Sequence, residues 1–147
     1  MTETGLERFR TAQRGTYADA LAELKAGAKH GHWMWFIFPQ LAGLGRSSTA
    51  QFYAISDLKE AEAYLRDNLL GPRLVECTDA MLLWAGKRSA ETILGPVDTL
   101  KFRSSMTLFA EASGGKDPFA QALDSFFDGE RDETTIELLA SEASGTE

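Results

Sequence analysis

The eleven residues His30-Gly31-His32-Trp33-Met34-Trp35-Phe36-Ile37-Phe38-Pro39-Gln40 constrain the fold more than any other part of the chain. They hold two of the three tryptophans, four further large apolar side chains and both histidines. A run this apolar must be buried, yet polar groups flank it, and that mixture is expected of a ligand-pocket wall. The stretch does not alternate polar and apolar residues, so it is not a half-exposed strand. Helical signals surround it and Pro39 closes it at or before Phe38, which points to a short helix with His32, Trp35 and Phe36 on one side and Trp33 and Ile37 on another.

A chain of 147 residues with 44% hydrophobic residues makes one ordinary domain, able to bury roughly 70% of its unfolded surface. Its single cysteine, Cys77, has no disulfide partner within the chain and suits a reducing compartment, so a cytoplasmic location is expected. Met1–Arg10 lacks the apolar core of a signal peptide, and the longest apolar run, 33–38, is too short to span a bilayer. The net charge of −7 argues against a nucleic-acid polymer or an anionic membrane as partner. That charge is unevenly placed, with residues 1–53 at +2 and 54–147 at −9. The aromatic stretch therefore sits in the basic part of an acidic protein, where a small anionic ligand is allowed.

The rest of the chain reads as helices. Thr4 to Gly15 and Thr16 to Gly27 carry Leu6 and Phe9, then Tyr17, Leu21 and Leu24, at helical spacing. Leu41 to Ser47 is a loop, and Ser48 with Gln51 forms a capping box for a short helix. Ser56 caps a helix with Leu58, Ala61 and Leu65 facing inward, and Gly71-Pro72 stops one element and starts the next, which ends at Gly86. On that helix Cys77 reads as a small core side chain rather than a reactive thiol. Ser89 to Leu94 is one or two turns before Gly95-Pro96. Asp98 caps a helix over 99–112 that is apolar nearly all round, and Lys101, Ser104, Ser105 and Leu108 form a mostly polar stripe along it. Buried polar groups require partners or a ligand, and Thr107 adds to the demand. Helices from Asp117-Pro118 to Gly129 and over 134–139 follow, then an acidic tail at 141–147 expected to be disordered. The expectation is a single all-α domain over residues 1–140 with about six to eight short helices.

Several chemistries are excluded by the residues available. Two histidines, one cysteine and no carboxylate within the central stretch match no zinc pattern, and no cofactor motif is present. Gly43-Leu44-Gly45-Arg46 lacks the spacing of a phosphate loop, and Ser104 and Ser105 lie within a helix rather than on a nucleophile elbow. A binding constellation remains: Trp33 and Trp35 as flat walls, His32 and Gln40 as hydrogen-bonding groups, Arg46, Ser47 and Ser48 near a helix start, Tyr53, and Lys101, Ser104, Ser105 and Thr107. Indole faces beside a cation and hydroxyls suit a nucleotide-like ligand.

The motifs His32-Trp33-Met34-Trp35-Phe36-Ile37-Phe38-Pro39-Gln40, Gly45-Arg46-Ser47, Tyr53-Ala54-Ile55, Leu70-Gly71-Pro72-Arg73-Leu74 and 98–109 closely resemble the domain of unknown function 1810 family, whose bacterial members are sometimes labelled calpastatin-like. The resemblance covers nearly the whole chain and implies an all-α fold without an established activity. Calpastatin's inhibitory repeats are disordered segments, whereas this composition is that of a folded core. Residues 47–53 and Lys101-Phe102 are more faintly similar to the NADAR family, which acts on N-glycosidic bonds of ADP-ribose derivatives. Such cleavage wants a carboxylate as acid or base, with Glu76, Asp79 and Asp98 the candidates.

The expected function is thus an intracellular pocket for a small phosphate-bearing ligand of nucleotide or ADP-ribose type, with N-glycosidic hydrolysis as its enzymatic form. His32 and Lys101 are the expected catalytic groups, Trp33 and Trp35 the stacking surfaces, and Arg46 and Lys101 the charge partners. The alternative is a non-enzymatic all-α module whose exposed face binds another protein.

Overall fold

A computed structural model describes residues 5–115 and 118–145. The described residues form ten helices: α1 Glu7–Gln13, α2 Tyr17–Ala26, α3 Met34–Ile37, α4 Ser48–Phe52, α5 Leu58–Arg66, α6 Leu70–Leu82, α7 Ala90–Leu94, α8 Pro96–Ala112, α9 Phe119–Phe127 and α10 Glu133–Gly145. One isolated parallel bridge, Leu41 to Ile55, is the extended pairing among them. The all-α expectation holds, and the count exceeds the expected six to eight because the short segments α3, α4 and α7 stand as separate helices.

Helix α8 is the axle. It packs against α5, α7, α9 and α10, while α6 joins α2, α5 and α9 behind it. Phe102, Met106 and Phe109 are fully buried on α8. A run of ring contacts passes through this core, from Phe9 to Tyr64 (5.1 Å), Tyr64 to Phe109 (5.4 Å) and Phe109 to Phe119 (5.9 Å). A second run joins Phe38 to Phe102 at 4.9 Å and anchors the aromatic stretch to α8. Burying one such side chain contributes about 1.5–3 kcal/mol, so these rings carry much of the stability.

Helix starts differ from the expected ones by one to three residues, each for a local reason. Ser47, not Ser48, caps α4 by accepting from the Ala50 N–H at 3.1 Å. Asp57, not Ser56, caps α5 through the Glu60 N–H at 2.9 Å. Helix α6 begins at Leu70, where Asp67 accepts from the Leu69 and Leu70 N–H groups, and Pro72 is tolerated because its missing donor falls in the first turn. Helix α8 begins at Pro96, so Asp98 lies inside its first turn rather than capping it. Helix α10 runs past Leu139 to Gly145, so part of the expected tail is helical; residues 146–147, like Thr4 and Asp117, lie outside the described residues.

Cys77 is buried on α6 as a core side chain, and burial pushes its thiol up to about 12. Two glycines mark close approaches. Gly27 ends α2 in the left-handed region (φ 74°), and a Cβ there would lie 2.7 Å from the Trp84 ring, whose Nε1 donates to Leu24 O at 3.0 Å. A Cβ on Gly71 would meet Leu65 O at 2.2 Å, so α6 touches α5 directly at that point. Gly71→Ala must push backbone against backbone and is expected to destabilise by about 1–3 kcal/mol, lowering the melting temperature by roughly 3–10 °C. Circular dichroism melts check this, with Gly15→Ala, whose Cβ meets open space, expected to show no loss.

Candidate functional site

The segment from Trp35 to Ala50 and the first turns of α8 enclose a cleft of about 400 Å³, within the roughly 300–1,000 Å³ range of small-molecule sites. One wall is polar, made by Gln40, Arg46, Ser47, Lys101 and Ser104; Trp35, Leu44, Val97 and Leu100 make the apolar wall, and Gly45 and Ala50 complete the lining. None of these lining residues is acidic. The Lys101 ammonium sits 5.0 Å above the centre of the Trp35 ring and 3.7 Å from Asp98 Oδ1. Asp98 Oδ2 in turn accepts the Lys29 ammonium at 2.8 Å. Lys29 is nearly buried; it also donates to Gly31 O at 2.6 Å and lies 5.0 Å over the Trp33 ring.

The loop that carries Lys29 is fastened to α2 by one carboxylate. Glu23 Oε1 accepts from His30 N (2.8 Å), Gly31 N (3.0 Å) and Trp33 Nε1 (2.9 Å). Burial by itself would raise the Glu23 carboxyl; the hydrogen bonds from Gly31, His30 and Trp33 outweigh it and hold the group below the ordinary carboxylate range.

Of the residues expected to form a site, Trp35, Gln40, Arg46, Ser47, Lys101 and Ser104 converge on this cleft. The others are placed elsewhere. His32 is exposed ahead of α3 and does not line the cleft, because the helix starts only at Met34. Trp33 is 1% exposed, so its ring is core and its indole N–H serves the Glu23 staple. Ser48 is exposed outside the lining. Tyr53 packs among Phe9, Phe36 and Phe52. Thr107 donates to Arg103 O at 2.8 Å and accepts from Asp132 N at 2.9 Å, tying α8 to the start of α10. Ser105 is fully buried, and its Oγ has no partner among the described residues.

Val97, Leu100 and the pair Lys29–Asp98 were missed as neighbours of the site. Gly95-Pro96 held the signal: proline at the first helical position puts Asp98 in the first turn, one turn ahead of Lys101 and free to pair with it. A larger hollow of about 710 Å³ opens between α8 and α10, but its Arg103 is engaged by Glu130 O, the Glu130 carboxylate and Arg131 O. Three glutamates line it as well, so it does not present the free positive charge of the smaller cleft. Among the described residues no His, Cys, Asp and Glu side chains cluster to hold a metal ion, and no helix is long and apolar enough to cross a membrane.

A single all-α domain with a cationic, aromatic-lined cleft is therefore the class of molecule that fold and geometry define. The chain belongs to the family described as Protein of unknown function (DUF1810), which matches residues 3–139. It is similar in structure to the conserved hypothetical protein Rv1873 from Mycobacterium tuberculosis, with a TM-score of 0.87 and 51% sequence identity over 92% of this chain and 96% of that one. No curated protein matches the chain. The fainter NADAR resemblance finds no support in these matches.

The Glu23 staple carries a pH signature. A carboxyl held below its ordinary value stabilises the fold above that value, 4.5, and loses the contribution as pH falls through the lowered one. Glu23→Gln is expected to cost about 1–3 kcal/mol at pH 7, because one neutral acceptor replaces a charged oxygen that serves three donors. Melting temperatures taken from pH 7 down to pH 3 should show the gap between wild type and variant narrowing toward acid; a constant gap would contradict this account.

Proposed function

We propose that this protein binds a small phosphate-bearing ligand of nucleotide or ADP-ribose type in the cleft between Trp35 and Lys101. The observation that carries the reading is the Lys101 ammonium held over the Trp35 ring, in a lining that also contains Arg46 and no acid. A base stacked on Trp35, worth about 1–3 kcal/mol, takes the face that Lys101 covers without ligand, and the ammonium moves from the ring to join Arg46 on the phosphate. Gln40 in the lining supports a contact to the sugar or base edge, whereas the Ser47 and Ser104 hydroxyls already bond to Ala50 N and Leu100 O. Helix α4 spans five residues and adds little dipole of its own, so the side chains dominate.

Binding is better supported than N-glycosidic hydrolysis. His32 stands outside the cleft, and the nearest carboxylate, Asp98, is occupied by two ammonium groups. A general acid must reach the leaving group, and Asp98 does not line the cleft. The alternative of a protein-docking module draws on Val97 and Leu100, 65% and 62% exposed at the apolar rim.

Thermal-shift measurements with AMP and ADP-ribose test the proposal. Wild type should gain several degrees at ligand concentrations well above Kd, and Lys101→Ala should lose most of that gain while melting near wild type without ligand. No ligand-dependent shift in either protein would overturn it.

A further inference from the structure

We propose that Asp98 sets the charge capacity of the cleft, restricting it to ligands that carry about two negative charges, such as nucleoside monophosphates and dinucleotide-type pyrophosphates, over nucleoside triphosphates. This rests on the phosphate-binding reading above and adds a selectivity rule to it.

Part of the positive charge beside the cleft is already neutralised. The Lys29 ammonium has only 8% side-chain exposure and is fixed from three sides, by Asp98 Oδ2, Gly31 O and the Trp33 ring. Its charge is cancelled at 2.8 Å by the nearer carboxylate oxygen. The other oxygen lies 3.7 Å from Lys101, close enough to steer that ammonium over Trp35 but longer than a charge-assisted hydrogen bond. Lys101 is 26% exposed and faces the cleft, whereas Lys29 does not line it.

Lys29 and Asp98 thus form a closed pair, leaving Lys101 and Arg46 as the two positive charges that a ligand meets. Among the described residues Arg46 makes no ion pair, and it is exposed in the cleft lining. A phosphomonoester carries roughly −1.5 to −2 at pH 7, and a pyrophosphate diester carries one negative charge per phosphate; either matches the pair. A triphosphate brings further negative charge with no cation left to meet it, because Asp98 holds the Lys29 charge back from the cleft. The arrangement is a form of negative selection, in which a carboxylate that neutralises one lysine limits the positive charge a ligand can meet.

Calorimetric titration of the full chain with adenosine, AMP, ADP, ATP and ADP-ribose, without divalent cations and at low ionic strength, tests this. In wild type, AMP and ADP-ribose should bind within a few-fold of each other and adenosine more weakly, and ATP should bind no more tightly than AMP. Asp98→Asn releases the Lys29 charge, so ATP affinity should rise about tenfold and the order should invert. Lys29→Met has the opposite sign: it leaves the Asp98 charge uncancelled, so AMP should weaken by about tenfold with adenosine unchanged, which keeps a second reading available if Asp98→Asn folds poorly. ATP as the tightest ligand of wild type, or an unchanged order in both variants, would overturn the inference while leaving the phosphate-binding reading intact. Failure of all five compounds to bind wild type would overturn both.

Discussion

Helix α8 has almost no solvent-facing side beyond its first turns, and that constraint organises everything else. Ser104, Ser105, Met106, Thr107, Leu108, Phe109 and Ala110 are consecutive buried residues, so neighbours must cover the helix all round. Helices α5, α7, α9 and α10 do so. Its polar side chains are compatible with burial because most bond back to their own helix: Thr99 to Gly95 O, Ser104 to Leu100 O and Thr107 to Arg103 O. Where α8 finally emerges, at Val97, Leu100 and Lys101, it meets the loop that follows the aromatic stretch, and the cleft is the gap between them. The site exists where the core's covering layer stops.

A chain of polar contacts reaches the cleft from the far side of that loop. Glu23 on α2 gathers His30, Gly31 and Trp33; Lys29 lies over Trp33 and pairs with Asp98; Asp98 then steers Lys101 over Trp35. Each link is a charge held by oriented donors or by a ring face, in surroundings drier than bulk water, where such contacts are stronger. The two tryptophans play matched roles at different depths, each beneath one lysine, one sealed in the core and one open to the cleft.

Much of the architecture was readable in the order of residues because it depends on short-range rules. Gly-Pro pairs, capping side chains and three-and-four spacing identified most helices to within a turn. That Trp35, Arg46, Lys101 and Ser104 line one cleft is legible in part, because polar or cationic groups beside a strongly apolar run need a reason. The remainder depended on tertiary partners. Trp33 and Trp35 are two residues apart in a segment with a four-residue helix, so their burial is decided by what packs on each side and not by periodicity. Thr107 looked like a ligand group until its partner proved to be the Asp132 amide, 25 residues away. Asp98 reads as a cap because aspartate commonly is one, and the start of the helix at Pro96 leaves it to the two lysines.

The sealed thiol of Cys77 has a different consequence. With burial holding it up to about 12, almost none of it is thiolate at neutral pH, and the apolar face of α6 shields its sulfur from reagents. Oxidants and alkylating agents therefore have no sulfur to attack while α6 stays docked, and the sole cysteine becomes reactive only when that helix swings away. The molecule carries its own gauge of breathing: the pace of thiol labelling reads out how often its interior opens.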